Sequence, residues 1–469
     1  MRGRLAGAAA APVGLPLTRS ELLRKLVHIA CGGFAFLLRG MRPWQAAAMA
    51  IAAFLFNWQV LPRIGGRELW RSADRDRGYP LGILLYPLAV LGLILFFWNA
   101  LWMAAAVWGI LAFGDGMASV VGTTLRGPTW PWNPKKGIAG SLAFLVFGGL
   151  GAAVLIAWTS RLPLDLHAWH APRTLGVAFA LALVTALVES LPTTLDDNLT
   201  VPLVGALTLP LLAQADLQQL LADPDFLGRT LVGLGASVAI AFLAWAAGSM
   251  DLGGAAVAIL IGTVVTGALG LPFLGVMVAF FVVGSAATHI GYRKKAVLGI
   301  AQERGGARGA RHVLANGGVP AFLALMAGLA PPLLRDLLVL AYAASVATAA
   351  ADTCSSEVGK AYGRRTFLMT SLRPVPPGTA GAISASGTLG GLLGAALVAA
   401  TGVWLGAYGG TAAALVAVAG LLGSLAESVI GVAAERRGFM GHDLLNATNT
   451  AMGAAIAVLL VEATARGVP

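Results

Sequence analysis

The chain has 469 residues, of which 58% are hydrophobic and 11% charged, with a formal net charge of +11. A soluble domain carries about 25% charged residues, so a water-soluble globule of this size is excluded. Disorder and a collagen-like repeat are excluded too, because the 61 glycines lie inside apolar runs without a three-residue period.

The first twenty residues are basic and rich in small side chains. They lack the apolar run of a signal peptide, so the first span is expected to be retained. From there, apolar stretches long enough to cross a bilayer recur along the whole chain. About fifteen spans are expected, near residues 22–38, 43–60, 80–98, 100–122, 138–158, 174–191, 199–215, 228–247, 253–271, 273–291, 318–331, 334–352, 383–402, 409–431 and 446–465. The expected fold is therefore all-α, a polytopic transmembrane helical protein. With the N-terminus in the cytoplasm, 25 of the 32 Lys and Arg residues fall in inside segments. The opposite orientation inverts that ratio, so the basicity reads as a positive-inside signature of the inner, cytoplasmic membrane. Nucleic-acid binding is not expected. Cys31 and Cys354 provide neither a disulfide framework nor a metal-ligand spacing.

The segment 214–229 is the most polar interlude on the outer side and divides the chain, giving expected domains 1–221 and 222–469. The two halves share an order of features. GDGMAS (114–119), KKGIAGS (135–141) and Glu189-Ser190 in the first answer to ADTCSSE (351–357), GTAGAIS (378–384) and Glu427-Ser428 in the second. This is the pattern of two diverged halves in tandem.

An acidic side chain within or beside a membrane span is costly, and by default suggests function. Of the 21 acidic residues, eight lie in these motifs: Asp115, Glu189, Asp196, Asp197, Asp352, Glu357, Glu427 and Asp443. In the first half, Asp115 and Glu189 are accompanied by Lys135, Lys136 and the Asp196-Asp197-Asn198 segment. Carboxylates suit Mg²⁺, which bridges phosphate oxygens, while lysines neutralise the remaining charge. Phosphoryl transfer depends mainly on such positioning and charge stabilisation. A cytoplasmic face of this kind, open toward hydrocarbon, fits nucleotide-dependent phosphorylation of a lipid alcohol. Other features read as structure. His28, on one helical face with Arg24 and Lys25, is a structural hydrogen-bonder; Trp130–Trp132 fits an interfacial belt; the glycines at 390–394 fit helix packing.

RKLVHIACG (24–32), GDGMASVVG (114–122), NPKKGIAGS (133–141) and VESLPTTLDDNLTVPL (188–203) resemble the phytol kinase branch of the dolichol kinase-like family. Gly137-Ile138 departs from the Ser-aromatic pair of that family, so no hydroxyl contact is expected from position 137. AQERGGARGARHV (301–313), ADTCSSEVGKAYGRRT (351–366), VPPGTAGAISASGTLGG (375–391), AESVIGV (426–432) and HDLLNATNT (442–450) are similar to the phytyl-phosphate kinase family. The resemblance implies a fusion of two sequential kinases with CTP or a related nucleotide as donor. The first would convert an isoprenoid alcohol (phytol or geranylgeraniol) to its monophosphate. The second would make the diphosphate used in tocopherol-type prenyl transfer.

On that basis, the first half would use Asp115 and Glu189 as catalytic and Mg²⁺-binding carboxylates. Lys135, Lys136, Ser141, Asp197 and Asn198 would line the nucleotide site. In the second half Asp352 and Glu427 would be catalytic, with Asp352 and Glu357 holding metal. Lys360, Arg373, Ser384 and Asn446 would bind donor phosphate or nucleotide, with Asn449 behind them. Partners would be the isoprenoid alcohol, the isoprenyl phosphate, the nucleotide triphosphate and membrane lipid. A CTP-dependent cytidylyltransferase or alcohol-phosphate transferase uses the same groups and is the main rival. A secondary transporter is another, but its acids would gather at the bilayer midplane rather than at one face beside cations.

Overall fold

The computed structural model describes residues 19–64, 66, 70, 74, 78–125, 127–130, 132–160, 170–302, 306–379, 381–437 and 441–466. Several cations used in the charge-bias reading, among them Arg2, Arg4, Arg67, Arg71, Arg75, Arg77, Arg126 and Arg304, lie outside the described residues.

The chain is a helical integral membrane protein. Twelve helices of the described residues are long and apolar enough to cross a membrane, and Leu81–Phe96 is a shorter apolar helix. The remaining expected spans are helical as well. Arg19–Cys31 continues as a 3-10 helix to Arg39, and Asp197–Gln214 carries Pro202 and Pro210 in its interior. Contacts divide the chain into two compact units, Met1–Ala213 and Gln214–Pro469. The polar interlude belongs to the second, where the Asp216 N–H donates to the Leu329 carbonyl at 2.8 Å.

The first unit runs α1 (Arg19–Cys31), α2 (Pro43–Leu55) and α3 (Leu81–Phe96). A broken rod follows, made of α4 (Leu101–Gly109), a π-helical stretch (Ile110–Asp115) and α5 (Gly116–Thr124). The antiparallel pair β1 (Thr129–Trp130) and β2 (Asn133–Gly137) comes next, then α6 (Ile138–Thr159), α7 (His170–Ser190) and α8 (Asp197–Gln214). Such π-helical turns are rare and gather at functional sites; this one ends on Asp115. Gly116 lets α1 close on the rod, since a Cβ there would sit 2.3 Å from Ile29.

The second unit runs α9 (Leu217–Ala222), α10 (Phe226–Ala246), α11 (Leu252–Leu269), α12 (Leu271–His289), α13 (Tyr292–Val297) and α14 (Ala310–Leu329). It continues with α15 (Pro332–Tyr362), the antiparallel pair β3 (Phe367–Leu368) and β4 (Ala382–Ile383), α16 (Ala385–Trp404), α17 (Gly410–Arg437) and α18 (His442–Arg466). At about 1.5 Å per residue, the 31 residues of α15 reach roughly 46 Å, against a hydrocarbon core of about 30 Å. Its apolar middle, 338–351, fills the core of the unit, and its polar end carries Asp352, Glu357 and Lys360. The glycines of α16 are packing surface. A Cβ at Gly391 would meet the Ala351 carbonyl at 3.0 Å, and one at Gly394 the Cys354 sulfur at 2.8 Å. From the acid-bearing rod onward both units follow one order: rod, two-stranded hairpin, then three helices.

Candidate active site

In the first unit, carboxylate oxygens of Asp115, Glu189 and Asp197 lie within 4.8 Å of one another, although they come from three different helices. Asp115 (5% exposed) and Glu189 (4%) are buried, and Asp197 is half-buried. Two lysines hold them. Lys25 Nζ lies 3.2 Å from Asp115 Oδ2; Lys136 Nζ donates to Glu189 and, at 3.1 Å, to Asp197 Oδ2. Burial works against charge on Lys136. The fields of Asp197, Glu189 and Asp115 outweigh it and hold the ammonium above the usual lysine range.

The hairpin β1–β2 is what delivers Lys136. Asn133 is buried and donates to the carbonyls of Ser190 (3.1 Å) and Leu191 (3.2 Å), clamping β2 against the end of α7, where Glu189 sits. Trp132 Nε1 donates to Ser190 Oγ at 3.2 Å, and the rings of Trp130 and Trp132 stack at 4.5 Å. On the other side, His28 Nε2 donates to the Leu111 carbonyl at 2.9 Å and lies 3.5 Å from Asp115 Oδ2. Its ring meets Tyr86 edge-on at 4.6 Å. His28 is thus a hydrogen-bonder, as its position in the sequence suggests, and it also faces the carboxylate.

The expected residues separate into two groups. Asp115, Lys136, Glu189 and Asp197 converge. Asn198 is adjacent: its Nδ2 donates to Asp196 Oδ1 at 2.8 Å, and its own Oδ1 is buried without a partner. Lys135 is exposed. Ser141 is engaged by Trp130 Nε1 at 2.9 Å. Lys25 and Asn133 belong to the site and carry no role in the sequence reading. The signal for Lys25 is its three-residue spacing from His28 on one helical face.

In the second unit the acids form two sets. Glu357 is fully buried and paired with the equally buried Lys295; Lys360 Nζ adds a contact at 3.1 Å and Gln302 Nε2 one at 3.4 Å. The carboxyl groups of Asp352 and Glu427 face each other instead. Asp352 and Glu357, five positions apart, project about 140° apart around the helix, which is why they do not share one centre. Packing register brings further groups level with the Asp352–Glu427 pair. Gly423 of α17 and Gly453 of α18 both abut Thr348 of α15, and Gly431 abuts Leu445, so α17 and α18 run antiparallel. Four residues on from Thr348 and Gly423 come Asp352 and Glu427; four residues back from Gly453 comes Asn449. Asn449 and Asn446 are buried, at 1% and 3% exposure, and the side-chain oxygen of each has no partner. Ser384 caps α16 by accepting from the Gly387 N–H at 3.1 Å, and Arg373 is exposed.

Residues 235–456 match the family model described as integral membrane protein DUF92. An uncharacterized membrane protein of Synechocystis is 39% identical over 44% of this chain and 80% of its own length. The chain belongs to the DUF92 family. The chloroplastic protein VTE6 of Arabidopsis thaliana is 37% identical over 45% of the chain and 65% of its length. Phytol kinase 1 of the same plant's chloroplast is 31% identical over 37% of the chain and 60% of its length. The chain thus spans less than two thirds of either plant protein. No solved structure matches it.

Proposed function

We propose that this DUF92 protein is an integral-membrane lipid kinase. Its first unit would phosphorylate a long-chain isoprenoid alcohol, and its second would phosphorylate the resulting monophosphate, with CTP or a related nucleotide as donor. The reading is carried by the convergence of Asp115, Glu189 and Asp197 beside Lys25 and Lys136. The similarity to a phytol kinase supports the substrate class.

The donor set fits Mg²⁺: three carboxylates supply hard oxygen ligands with spacing suited to a small cation. Bound there with the nucleotide, Mg²⁺ would offset charge on the transferring phosphoryl group. The chain's own groups do the rest. Lys25 and His28 hold Asp115 in place. Lys136 spans Glu189 and Asp197 and is placed to turn toward the donor phosphates. The alcohol oxygen attacks the terminal phosphorus, its proton passes to a site carboxylate, and the nucleoside diphosphate leaves. In the second unit Asp352 and Glu427, flanked by Asn446 and Asn449, would form the corresponding centre, while Glu357 with Lys295 would hold the polar end of α15 in shape. The motif loops would face the cytoplasm, where the nucleotide is.

Membranes containing the full chain test this when given geranylgeraniol or phytol with CTP labelled in the base and the terminal phosphate. The kinase reading expects label in the lipid monophosphate and diphosphate, with CDP left behind. Release of CMP or pyrophosphate would replace it with the transferase reading. Labelled lipid failing to form with any nucleotide would remove both.

A further inference from the structure

A second polar feature of the Gln214–Pro469 unit lies outside these acid clusters. A cavity of about 100 Å³ between α10, α11, α12 and α14 is walled mainly by apolar side chains such as Ile240, Met277 and Phe281. Four polar residues line it: Arg308, His312, Asn316 and Ser237. Arg308 precedes α14, and its backbone is pinned to the α10–α11 turn. Its N–H donates to the Ser249 carbonyl at 3.0 Å, and its carbonyl accepts from the Asp251 N–H at 3.2 Å. The side chain then runs inward and is 6% exposed.

The guanidinium lies over Phe281 at 5.1 Å and Phe280 at 5.4 Å. Among the described residues no carboxylate forms an ion pair with it. A side chain at position 284 would displace it, since a Cβ on Gly284 would be 2.7 Å from its Nη2; Thr353, next to Asp352, faces the same point at 3.4 Å. Burial lowers its pKa to about 10, which leaves it charged at neutral pH. A buried cation that faces aromatic rings, with no acid paired to it among the described residues, is costly, and an anion delivered from outside would remove that cost. Planar guanidinium matches phosphate bidentately. The cavity is too small for a two-chain lipid, yet α10 beside it presents exposed apolar side chains such as Val238 and Phe242 to the bilayer.

We infer that this cavity seats the phosphate-bearing end of a single-chain lipid monophosphate, with the phosphate on Arg308 and the chain leaving along α10. The identity of that lipid as the acceptor of the second phosphorylation rests on the kinase reading above.

The test is equilibrium binding of geranylgeranyl monophosphate to the full chain in neutral detergent, without nucleotide. Geranylgeraniol, inorganic phosphate and a two-chain phosphatidic acid serve as comparison ligands. Arg308→Gln should weaken monophosphate binding about tenfold or more while leaving geranylgeraniol binding unchanged; Arg335→Gln, an exposed charge control, should change neither. Without ligand, Arg308→Gln should unfold at the same or a higher temperature than the parent, because it removes an uncompensated charge. Ala258→Phe, which fills the cavity with Arg308 intact, should also weaken monophosphate binding. The inference is overturned if Arg308→Gln or Ala258→Phe binds the monophosphate as tightly as the parent, or if inorganic phosphate or phosphatidic acid binds equally well. It is also overturned if Arg308→Gln is less stable without ligand, the mark of a purely structural cation–ring contact. Phosphoryl transfer by the same preparation separates the two readings. Transfer with Arg308-independent binding removes this inference alone, and Arg308-dependent binding without transfer removes the kinase reading alone.

Discussion

Replacing Lys136 with methionine keeps an unbranched side chain, one atom shorter, and removes its charge. In the first unit two lysines face three carboxylates, so the change leaves Lys25 alone against Asp115, Glu189 and Asp197. A unit-charge pair about 4 Å apart at an effective dielectric near 20 interacts by about 4 kcal/mol. Breaking a buried pair costs about 3–5 kcal/mol once the stranded charge is counted. Lys136 and Asp197 each keep 30% of their side-chain surface, so solvent screening places the loss near the lower end, about 3 kcal/mol. For a unit of this size each kcal/mol moves the midpoint by about 2–4 °C, giving a drop of roughly 6–12 °C. Thermal unfolding of the detergent-solubilised chain reads it, with exposed Lys135→Met as the control. A divalent ion that binds the vacated cluster should return part of the loss, about 2.7 kcal/mol at a concentration 100 times its Kd. If Lys136→Met melts with Lys135→Met, the cluster is not an energetic unit and the reasoning fails.

Four further outcomes follow from the same geometry. Lys136 is held above its ordinary pKa, so its stabilisation is complete below about pH 10 and fades only as pH rises through the raised value; the melting gap between parent and Lys136→Met should stay constant from pH 7 to 10, and a gap closing by pH 9 contradicts the pairing. If the proposed Mg²⁺ site is right, magnesium removal by chelator should lower the parent's melting temperature more than that of Asp197→Asn, which would lack one of the proposed ligands; equal shifts contradict that site. Gly391→Leu should destabilise the second unit by several kcal/mol, because its side chain meets the α15 backbone; a protease-resistance assay that scores it as parental removes the close α15–α16 packing. Single cysteines placed in 127–137 and 360–373 should label from the same, cytoplasmic side, and labelling from opposite sides overturns both the orientation and the tandem arrangement.

The helices were legible in the sequence because a span must be apolar over its length, whatever surrounds it. Asp115 and Glu189 stand out in the sequence for the converse reason: acids are costly beside apolar runs, and both are buried against lysines. Their partners were harder to read. Lys25 reaches Asp115 across 90 residues, and Lys295 reaches Glu357 across 62. Spacing along the chain carries no record of such contacts. The pairing of Glu357 with Lys295 and Lys360, and the hydrogen bond that Ser141 Oγ accepts from Trp130, are contacts of this kind. The hairpins leave no trace in the sequence, because strands of two to five residues carry no periodicity. The resemblance singles out Asn446 and Asn449, but their alignment with the Asp352–Glu427 pair is visible only in the register of α17 and α18 against α15.

The most direct measurement uses the two conservative variants Asp115→Asn and Asp352→Asn in membranes, each supplied separately with geranylgeraniol and with geranylgeranyl monophosphate in the presence of labelled CTP. Loss of a charge-stabilising group in a phosphoryl-transfer site costs about 10²-fold or more. Asp115→Asn should therefore lose use of the alcohol by at least that factor and keep phosphorylation of the monophosphate. Asp352→Asn should do the reverse, accumulating monophosphate from the alcohol. Loss of both activities in either variant, with insertion and melting temperature unchanged, contradicts two separate sites, and retention of both in each variant contradicts the carboxylate chemistry itself.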